Sequence, residues 1–184
     1  MHDRIAGAAI EEIKIRGLKF AIRDVASRLG ISTKTLYQHF ESKEQLITCL
    51  IERSIQEMRD SEARMMRDES LSIVQKLEQA LMMLPSAFAF TDIRTLDELK
   101  KLYPEQWKLV DAYVQEGWDN IRLLIEEGIQ VQVIRLFDME LFIDMYIGAL
   151  YQLMDRRTRE GNQLSLEEAL QRTVDMLMYG VIEK

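Results

Sequence analysis

Basic side chains are concentrated in one short stretch of the sequence. Residues 14–43 hold seven lysines and arginines against two acidic residues, and residues 1–50 carry a net charge of +2 while residues 51–184 carry −9. A concentrated positive surface binds polyanions such as nucleic acid. The alternative is an ordinary solvated helical face, and charge alone does not choose between the two. The seven residues are Lys14, Arg16, Lys19, Arg23, Arg28, Lys34 and Lys43.

Catalytic chemistry has few residues to work with in this chain. There is one cysteine, Cys49, and there are two histidines, so neither an intrachain disulfide nor a thiolate zinc site is expected. The sequence contains no nucleophile–histidine–acid arrangement, no glycine-rich phosphate loop and no cluster of metal ligands. Cys49 lies on an apolar helix and is expected to be an inert packed thiol. We therefore expect a protein that is not an enzyme and that needs no cofactor and no metal.

The composition favours a folded protein of the cytoplasm. The 184 residues are 47% hydrophobic and 30% charged, which is enough apolar surface to build a core. No apolar run approaches the ~20 residues that span a bilayer. The N-terminal residues lack the apolar stretch of a signal peptide.

Helical periodicity runs along the whole chain, with no alternating strand pattern. The pattern predicts a first helix that ends at Gly17, a second that ends at Gly30, a third over residues 33–39 and a fourth that begins after Ser42. Five further helices are predicted at residues 71–84, 92–102, 104–128, 138–157 and 166–179. We therefore expect an all-α fold of about nine helices, with a three-helix head on a larger helical body.

The stretch from Ile22 to Glu41 has the spacing of a helix-turn-helix. Counting Ile22 as position one, alanine falls at position five (Ala26), where a small side chain lets the second helix approach closely. Glycine falls at position nine (Gly30), where the chain must adopt a left-handed conformation to change direction. Apolar residues at positions four, eight, ten and fifteen then hold the two helices together.

The local sequence GISTKTLYQHFESKEQL, preceded by RDVA and by a helix that ends in glycine, resembles the N-terminal domain of the TetR family of transcriptional regulators. The resemblance spans residues 5–50. It implies a helix-turn-helix DNA-binding domain over residues 1–48 and a helical effector-binding and dimerisation domain over residues 49–184. The function that it implies is a cytoplasmic homodimeric regulator, expected to be a repressor that a small hydrophobic or amphipathic ligand releases from a near-palindromic operator.

The resemblance assigns DNA contacts to individual residues. Thr33 and Lys34, at the start of the recognition helix, would face base edges in the major groove. Family members often bind a phosphate with Ser or Thr where the second helix begins, but here Ala21 and Ile22 take that place. The remaining contacts would go to phosphate oxygens and set the register on the duplex. They are Thr35, Tyr37, His39, Lys43 and, as a replacement at the second helix, Arg23.

The resemblance also implies an effector pocket in the helical body. Methionine and aromatic side chains suit a large apolar cavity, and they suit an ordinary core equally well. The candidate lining residues are Met82, Met83, Phe88, Phe90, Trp107, Tyr113, Trp118, Met145 and Tyr146.

The last two predicted helices are apolar over more than one face, which favours a partner surface. In TetR-like proteins these two helices pair with their copies. The residues expected in the dimer interface are Leu141, Met145, Gly148, Ala149, Leu153, Ala169, Leu170, Val174 and Leu177.

Two other functions also fit the sequence, namely a helical protein-interaction module and a DNA-binding protein without a ligand. A DNA-binding protein has an affinity for duplex that falls steeply as salt rises, and a protein-interaction module does not. The operator, the target genes, the effector and the choice between repressor and activator stay open at this point.

Overall fold

Ten α-helices and one 3-10 turn make up the regular structure of the described residues. The computed structural model describes residues 1–83, 93–160 and 166–181, of which 93–94, 154–160 and 180–181 are described by their backbone alone. No strand occurs in these ranges, so the predicted all-α class is confirmed. The elements are α1 (His2–Arg16), the 3-10 turn (Gly17–Lys19), α2 (Ile22–Leu29), α3 (Thr33–Tyr37), α4 (Lys43–Arg67), α5 (Ile73–Leu81), α6 (Ile93–Leu102), α7 (Pro104–Glu116), α8 (Asp119–Gln130), α9 (Met139–Glu160) and α10 (Leu166–Val181).

The helices form two units. The first unit holds Met1–Gln56 and Pro85–Asp111, and the second holds Glu57–Leu84 and Ala112–Lys184. The family resemblance predicts that the first domain ends at residue 48, whereas α6 and the first part of α7 also belong to the unit of the N-terminal helices. They do so because α6 packs on the turn Gly17–Lys19, a contact between segments far apart in the sequence.

The core of the first unit is built by apolar stripes on short helices. Ile5, Ala9 and Ile13 recur every four residues on α1 and are almost fully buried. Such a stripe points one face of the helix at its neighbours, and each fully buried large aliphatic side chain adds about 1.5–3 kcal/mol. The other buried apolar residues of this core include Leu18, Phe20, Val25, Ala26, Leu36, Phe40, Leu46, Ile47, Leu50, Ile51, Leu96 and Leu99.

The core of the second unit gathers α5, α8, α9 and α10. Its buried residues are Leu77, Leu81, Trp118, Ile121, Leu124, Ile125, Ile134, Phe142, Ile143, Tyr146, Leu170, Val174 and Met178. The chain enters α5 through a capping box that the sequence analysis did not predict, in which Ser72 Oγ accepts from Gln75 N–H and Gln75 Oε1 accepts from Ser72 N–H. Within the described part of the chain, no helix combines the length and the hydropathy needed to cross a bilayer.

The helix predicted over residues 104–128 is two helices, because the chain breaks at Trp118. In a continuous helix the Trp118 N–H would bond the carbonyl oxygen of Val114. The indole N–H of Trp118 takes that carbonyl at 2.8 Å, while its backbone N–H turns to Glu116 O at 3.0 Å. The prediction of one helix was therefore wrong. A buried tryptophan side chain competes for the helix's own acceptor, and periodicity does not show this.

Candidate nucleic-acid interface

A serine fixes the start of the short helix α3. Ser32 Oγ accepts a hydrogen bond from Thr35 N–H at 3.0 Å and lies 2.8 Å from Thr35 Oγ1. Serine is a favoured N-cap residue, and here it bonds one of the four N–H groups that a helix leaves without a partner. The Ser32 hydroxyl also hydrogen-bonds the Thr35 hydroxyl, which was predicted to contact a phosphate.

One face of α3 is anchored and the other is open. Leu36 and Phe40 are buried against the core of the first unit. Thr33 and Lys34 are exposed at the first turn of the helix, and Tyr37 is 49% exposed. Three of the four side chains of this helix that were predicted to reach bases or phosphates therefore project into solvent, and the fourth, Thr35, is half-buried.

The turn before α3 has the predicted left-handed glycine. Gly30 has φ 66° and ψ 30°, and its N–H donates to the carbonyl oxygens at the end of α2. The next N–H, of Ile31, bonds Ala26 O at 3.0 Å, which folds the chain back across α2. Ala26 is 2% exposed, so its small side chain does sit at the helix crossing. The predicted helix-turn-helix geometry is confirmed.

The start of α2 is capped by a carboxylate. Asp24 accepts the N–H of Ala21 at 2.9 Å, so the Ala21 backbone group is engaged within the protein. Arg23 lies on the first turn of the same helix and is exposed. The exposed Arg23 side chain at the start of α2 is therefore accessible to a phosphate of bound DNA.

A buried glutamate joins α1 to α2. The Glu12 side chain is 6% exposed, and its Oε1 accepts a hydrogen bond from Arg28 Nε at 2.8 Å and lies 2.7 Å from Arg28 Nη2. Its other oxygen accepts from Arg16 Nε at 3.0 Å. Sequence reasoning missed this role, for which the i,i+4 spacing of Glu12 and Arg16 was the available signal. Two of the seven clustered basic residues, Arg16 and Arg28, are thus engaged with this one buried carboxylate.

Lys43 corrects an expectation. It was predicted to contact DNA phosphate, but its Nζ points inward and donates to Leu18 O at 2.6 Å and Phe20 O at 2.5 Å. The ammonium also lies 4.2 Å from the centre of the Phe20 ring, and burial lowers the pKa of Lys43. The amine satisfies two carbonyls between the 3-10 turn and α2, which holds it away from solvent. Lys43 therefore links the start of α4 to the backbone of residues 18 and 20 within the first unit.

His39 also has a partner inside the protein. Its ring is half-buried and meets the ring of His2 edge-on, with 5.0 Å between centroids, and the His2 ring lies 4.8 Å from that of Phe40. The His39 side chain, which was predicted to contact a phosphate, therefore also packs against α1.

Sequence reasoning did not foresee Gln38. This residue is exposed and follows Lys34 by four residues, so both side chains lie on the same side of the recognition segment.

The comparisons with known proteins agree with this geometry. The family model described as bacterial regulatory proteins, tetR family, matches residues 5–48, which cover α1 to the first turn of α4. An HTH-type transcriptional regulator of Bacillus subtilis (strain 168), YvaF, is 34% identical over 181 residues, covering 98% of this chain and 95% of that protein. The chain belongs to the TetR family. It is a TetR-family transcriptional regulator with an N-terminal DNA-binding domain.

Solved structures of TetR-family and other transcriptional regulators share the fold. A putative transcriptional regulator from Saccharomonospora viridis, solved in complex with choline, has a TM-score of 0.73 at 19% identity, covering 100% of this chain and 98% of its own. A transcriptional regulator from Cytophaga hutchinsonii has a TM-score of 0.71 at 16% identity, with 98% of each chain covered. The TetR-family regulator PfmR from Thermus thermophilus has a TM-score of 0.63 at 20% identity, covering 96% of this chain and 98% of its own.

The predicted pocket residues of this TetR-family protein do not all point inward. Met145 is 54% exposed on α9, so more than half of its side chain surface faces solvent. Trp107 belongs to the first unit, where Lys100 Nζ lies 5.7 Å from its ring centre. Met82 and Met83 are half-buried, and Met82 packs on the second core. Phe88 and Phe90 lie outside the described residues.

The remaining aromatic candidates, Tyr113, Trp118 and Tyr146, belong to the second unit. The rings of Trp118 and Tyr146 meet edge-on at 5.3 Å, and Tyr146 donates its hydroxyl hydrogen to Leu81 O at 2.5 Å. Burial raises the pKa of Tyr146 and, to a smaller extent, that of Tyr113, whose ring centre lies 5.9 Å from the Arg59 guanidinium carbon. Trp118 and Tyr146 therefore serve the core, as the alternative reading of these residues held.

The predicted interface residues divide between two faces. Leu141, Met145 and Gly148 are exposed on α9 at spacings of four and three, whereas Ala149, Leu153 and Leu177 are half-buried. Ala169, Leu170 and Val174 are at most 7% exposed, and the last two belong to the second core. Those three correct the expectation, because the inner stripe of α10 packs within its own chain. Among the α10 side chains that the structure describes, Met176 (78%) and Tyr179 (81%) are the exposed large apolar residues, and sequence reasoning missed both.

Proposed function

We propose that this TetR-family regulator is a homodimeric repressor that reads a near-palindromic operator with α3 and leaves it when a small apolar or amphipathic molecule binds the helical body. The observation that carries the proposal is the open face of α3, where Thr33, Lys34 and Tyr37 are exposed on a helix anchored by Leu36 and Phe40. Operator DNA of a bacterial regulator lies in the cytoplasm, so we place the protein there.

The chemistry of the open face suits duplex DNA. Lys34 donates to O6 or N7 of guanine, and Gln38 on the same side matches the N6 and N7 pair of adenine. Thr33 contacts a base edge or a thymine methyl. Tyr37 and Arg23 donate to phosphate oxygens, which sets the register of α3 in the major groove.

An exposed apolar surface supports the dimer. Leu141 and Met145 on α9 are 55% and 54% exposed, and Met176 and Tyr179 on the neighbouring α10 are more exposed still. Side chains of this size rarely stay in water as a group. In a dimer with two-fold symmetry, each recognition helix would read one half of a near-palindromic site, with the half-sites about 34–36 Å apart (one turn of DNA) or somewhat more.

Release by a ligand follows from the two-headed geometry. A molecule bound to the body that prefers a dimer with another head spacing shifts the population away from the DNA-binding form. A regulator of the same fold from Saccharomonospora viridis was solved in complex with choline, which is consistent with a small-molecule effector for this chain. Isothermal calorimetry with a panel of apolar and amphipathic compounds tests this part, and a panel in which none binds argues against it.

Selection from a random duplex library tests the DNA-binding part. The expected product is a near-palindrome whose affinity, followed by fluorescence anisotropy, falls steeply with salt. Lys34→Ala is expected to relax the preference at one base pair in each half-site, a discrimination of about 1–3 kcal/mol. Lys108→Ala is the matched control, because Lys108 is exposed on α7 and pairs with Glu105. A wild-type protein that enriches no duplex refutes the proposal.

A further inference from the structure

The turn between α1 and α2 is held by residues that lie far along the chain. Leu18 N–H donates to Glu98 Oε2 on α6 at 2.7 Å, across a separation of 80 residues. Leu18 O accepts from Lys43 Nζ at 2.6 Å, and the Tyr103 hydroxyl lies 3.5 Å from the same oxygen. Both polar backbone groups of Leu18 therefore bond side chains from outside the turn.

The backbone of the turn is shaped to receive the carboxylate of Glu98. Gly17 has φ 64° and ψ −160°, a conformation that is essentially confined to glycine. A Cβ on Gly17 would lie 2.3 Å from Glu98 Oε2, closer than real atoms approach. Any other residue at position 17 would push the carboxylate away from the Leu18 N–H. Position 17 and position 98 are thus matched to one another.

The bond acts at the point where the helix-turn-helix begins. Leu18 is fully buried and Phe20 is 2% exposed, and α2 starts two residues after Phe20. The placement of this turn sets where α2 leaves the core, and α2 carries α3 through the turn at Gly30. A side chain that holds Leu18 in place therefore also holds the recognition helix α3 in place, because only the short helix α2 and its two turns separate them.

We propose that Glu98 is a positioning residue for DNA recognition. It touches no DNA, and by accepting the Leu18 N–H it holds α2 and α3 in the orientation that fits the groove. The proposal rests on the proposed function, because it concerns how well α3 is presented to DNA. Its consequence is that duplex affinity depends on a residue of α6, outside the 5–48 segment that the family model matches.

The bond itself is tested on the DNA-free protein by amide hydrogen exchange. Glu98→Ala is expected to remove the acceptor, so that the Leu18 amide exchanges at least about tenfold faster. Asp97→Asn is the matched control, since Asp97 is the preceding residue on α6 and its carboxylate pairs with Lys101 within the same helix. Unchanged exchange at Leu18 in the Glu98→Ala protein would overturn the proposal.

The positioning role is tested by duplex affinity in the full chain. Glu98→Ala is expected to weaken binding roughly tenfold for every duplex, the ratio that the loss of one charge-assisted hydrogen bond gives. The ranking of duplexes and the slope of affinity against salt are expected to stay unchanged, because no DNA contact is lost. Glu98→Gln keeps an oxygen acceptor and is expected to restore affinity to within about threefold of the wild type.

Two further results decide the proposal. If Glu98→Ala does not fold, Glu98→Asp replaces it, because it keeps the charge and withdraws the carboxylate by one methylene, and the same loss of affinity is expected. If the wild-type protein binds duplex and the folded Glu98 variant binds it with the same affinity, the positioning role alone is overturned. A wild-type protein that binds no duplex overturns the proposed function and the positioning role together.

Discussion

Glu12 Oε1 on α1 accepts a hydrogen bond from Arg28 Nε on α2 at 2.8 Å and lies 2.7 Å from Arg28 Nη2 in the same ion pair. The carboxylate is buried while Arg28 stays partly in water, so the pair joins the interior of the first unit to its surface. Arg16 completes the arrangement on the second carboxylate oxygen. This cluster positions the first helix of the helix-turn-helix against the helix that precedes it.

Loss of this cluster is expected to destabilise the protein. Glu12→Ala removes charge-assisted bonds in a buried place, and we expect the free energy of unfolding to fall by about 2 kcal/mol. The two arginines regain water, which keeps the cost below that of a fully buried pair. Urea unfolding followed by circular dichroism measures it. The neighbouring Glu11→Ala, which breaks an exposed pair with Lys14, is expected to change nothing measurable. Equal effects of the two variants would contradict this account.

Three glycine-to-alanine variants are expected to rank in a fixed order. Gly7 lies within α1 with open space around it, so Gly7→Ala is expected to stabilise by about 0.5–1 kcal/mol. Gly30 has a left-handed φ and open space, so its alanine variant is expected to cost about 1–2 kcal/mol. Gly17→Ala adds the clash with Glu98 and is expected to cost about 3 kcal/mol. Thermal unfolding gives the order, and a Gly17→Ala protein as stable as Gly30→Ala would speak against the contact.

Lys43 and Arg23 are expected to behave differently toward DNA and salt. Arg23→Ala removes a surface cation, so the slope of log affinity against log salt is expected to fall by about 1 at unchanged stability. Lys43→Met removes the two bonds to Leu18 O and Phe20 O, so it is expected to lower the melting temperature and leave that slope as it was. Anisotropy titrations at several salt concentrations measure the slopes. A reduced slope for Lys43→Met would return Lys43 to the phosphate contacts.

The dimer is expected to depend on the exposed stripe of α9. A Leu141→Glu, Met145→Glu double variant places two charges in the apolar surface, and we expect it to scatter light as a monomer of 21.6 kDa while the wild type scatters as twice that mass. Ile15→Glu is the control, because Ile15 is 66% exposed on α1 and belongs to the first unit. A double variant that stays dimeric would place the interface elsewhere.

The thiol of Cys49 is expected to react slowly. Burial raises the pKa of Cys49, so at pH 8 less of it is thiolate than in an ordinary cysteine. The rate of alkylation by iodoacetamide, followed by mass spectrometry against pH, is expected to reach its midpoint at a higher pH in the folded protein than in the same protein unfolded by urea. A midpoint at or below that of the unfolded chain would be inconsistent with this burial.

The sequence by itself determined the features that depend on neighbours along the chain. The left-handed turn at Gly30, the cap at Ser32 and the burial of Leu36 and Phe40 follow from residue type and spacing over fewer than ten positions. The family resemblance added the expected place of α3 in the groove. These are local properties, because φ, ψ and helical phase are set by adjacent residues.

Only the tertiary structure decided how distant segments share their polar groups. It turned Lys43 from the surface to the carbonyls of Leu18 and Phe20, and it brought Glu98 to a turn 80 residues earlier. In the folded chain the indole of Trp118 bonds the carbonyl oxygen of Val114, and the helix ends there. On α10, Leu170 and Val174 are buried, whereas Met176 and Tyr179 are exposed. The physical reason is that each buried polar group takes whichever partner the packed chain brings near, and sequence spacing does not record that distance.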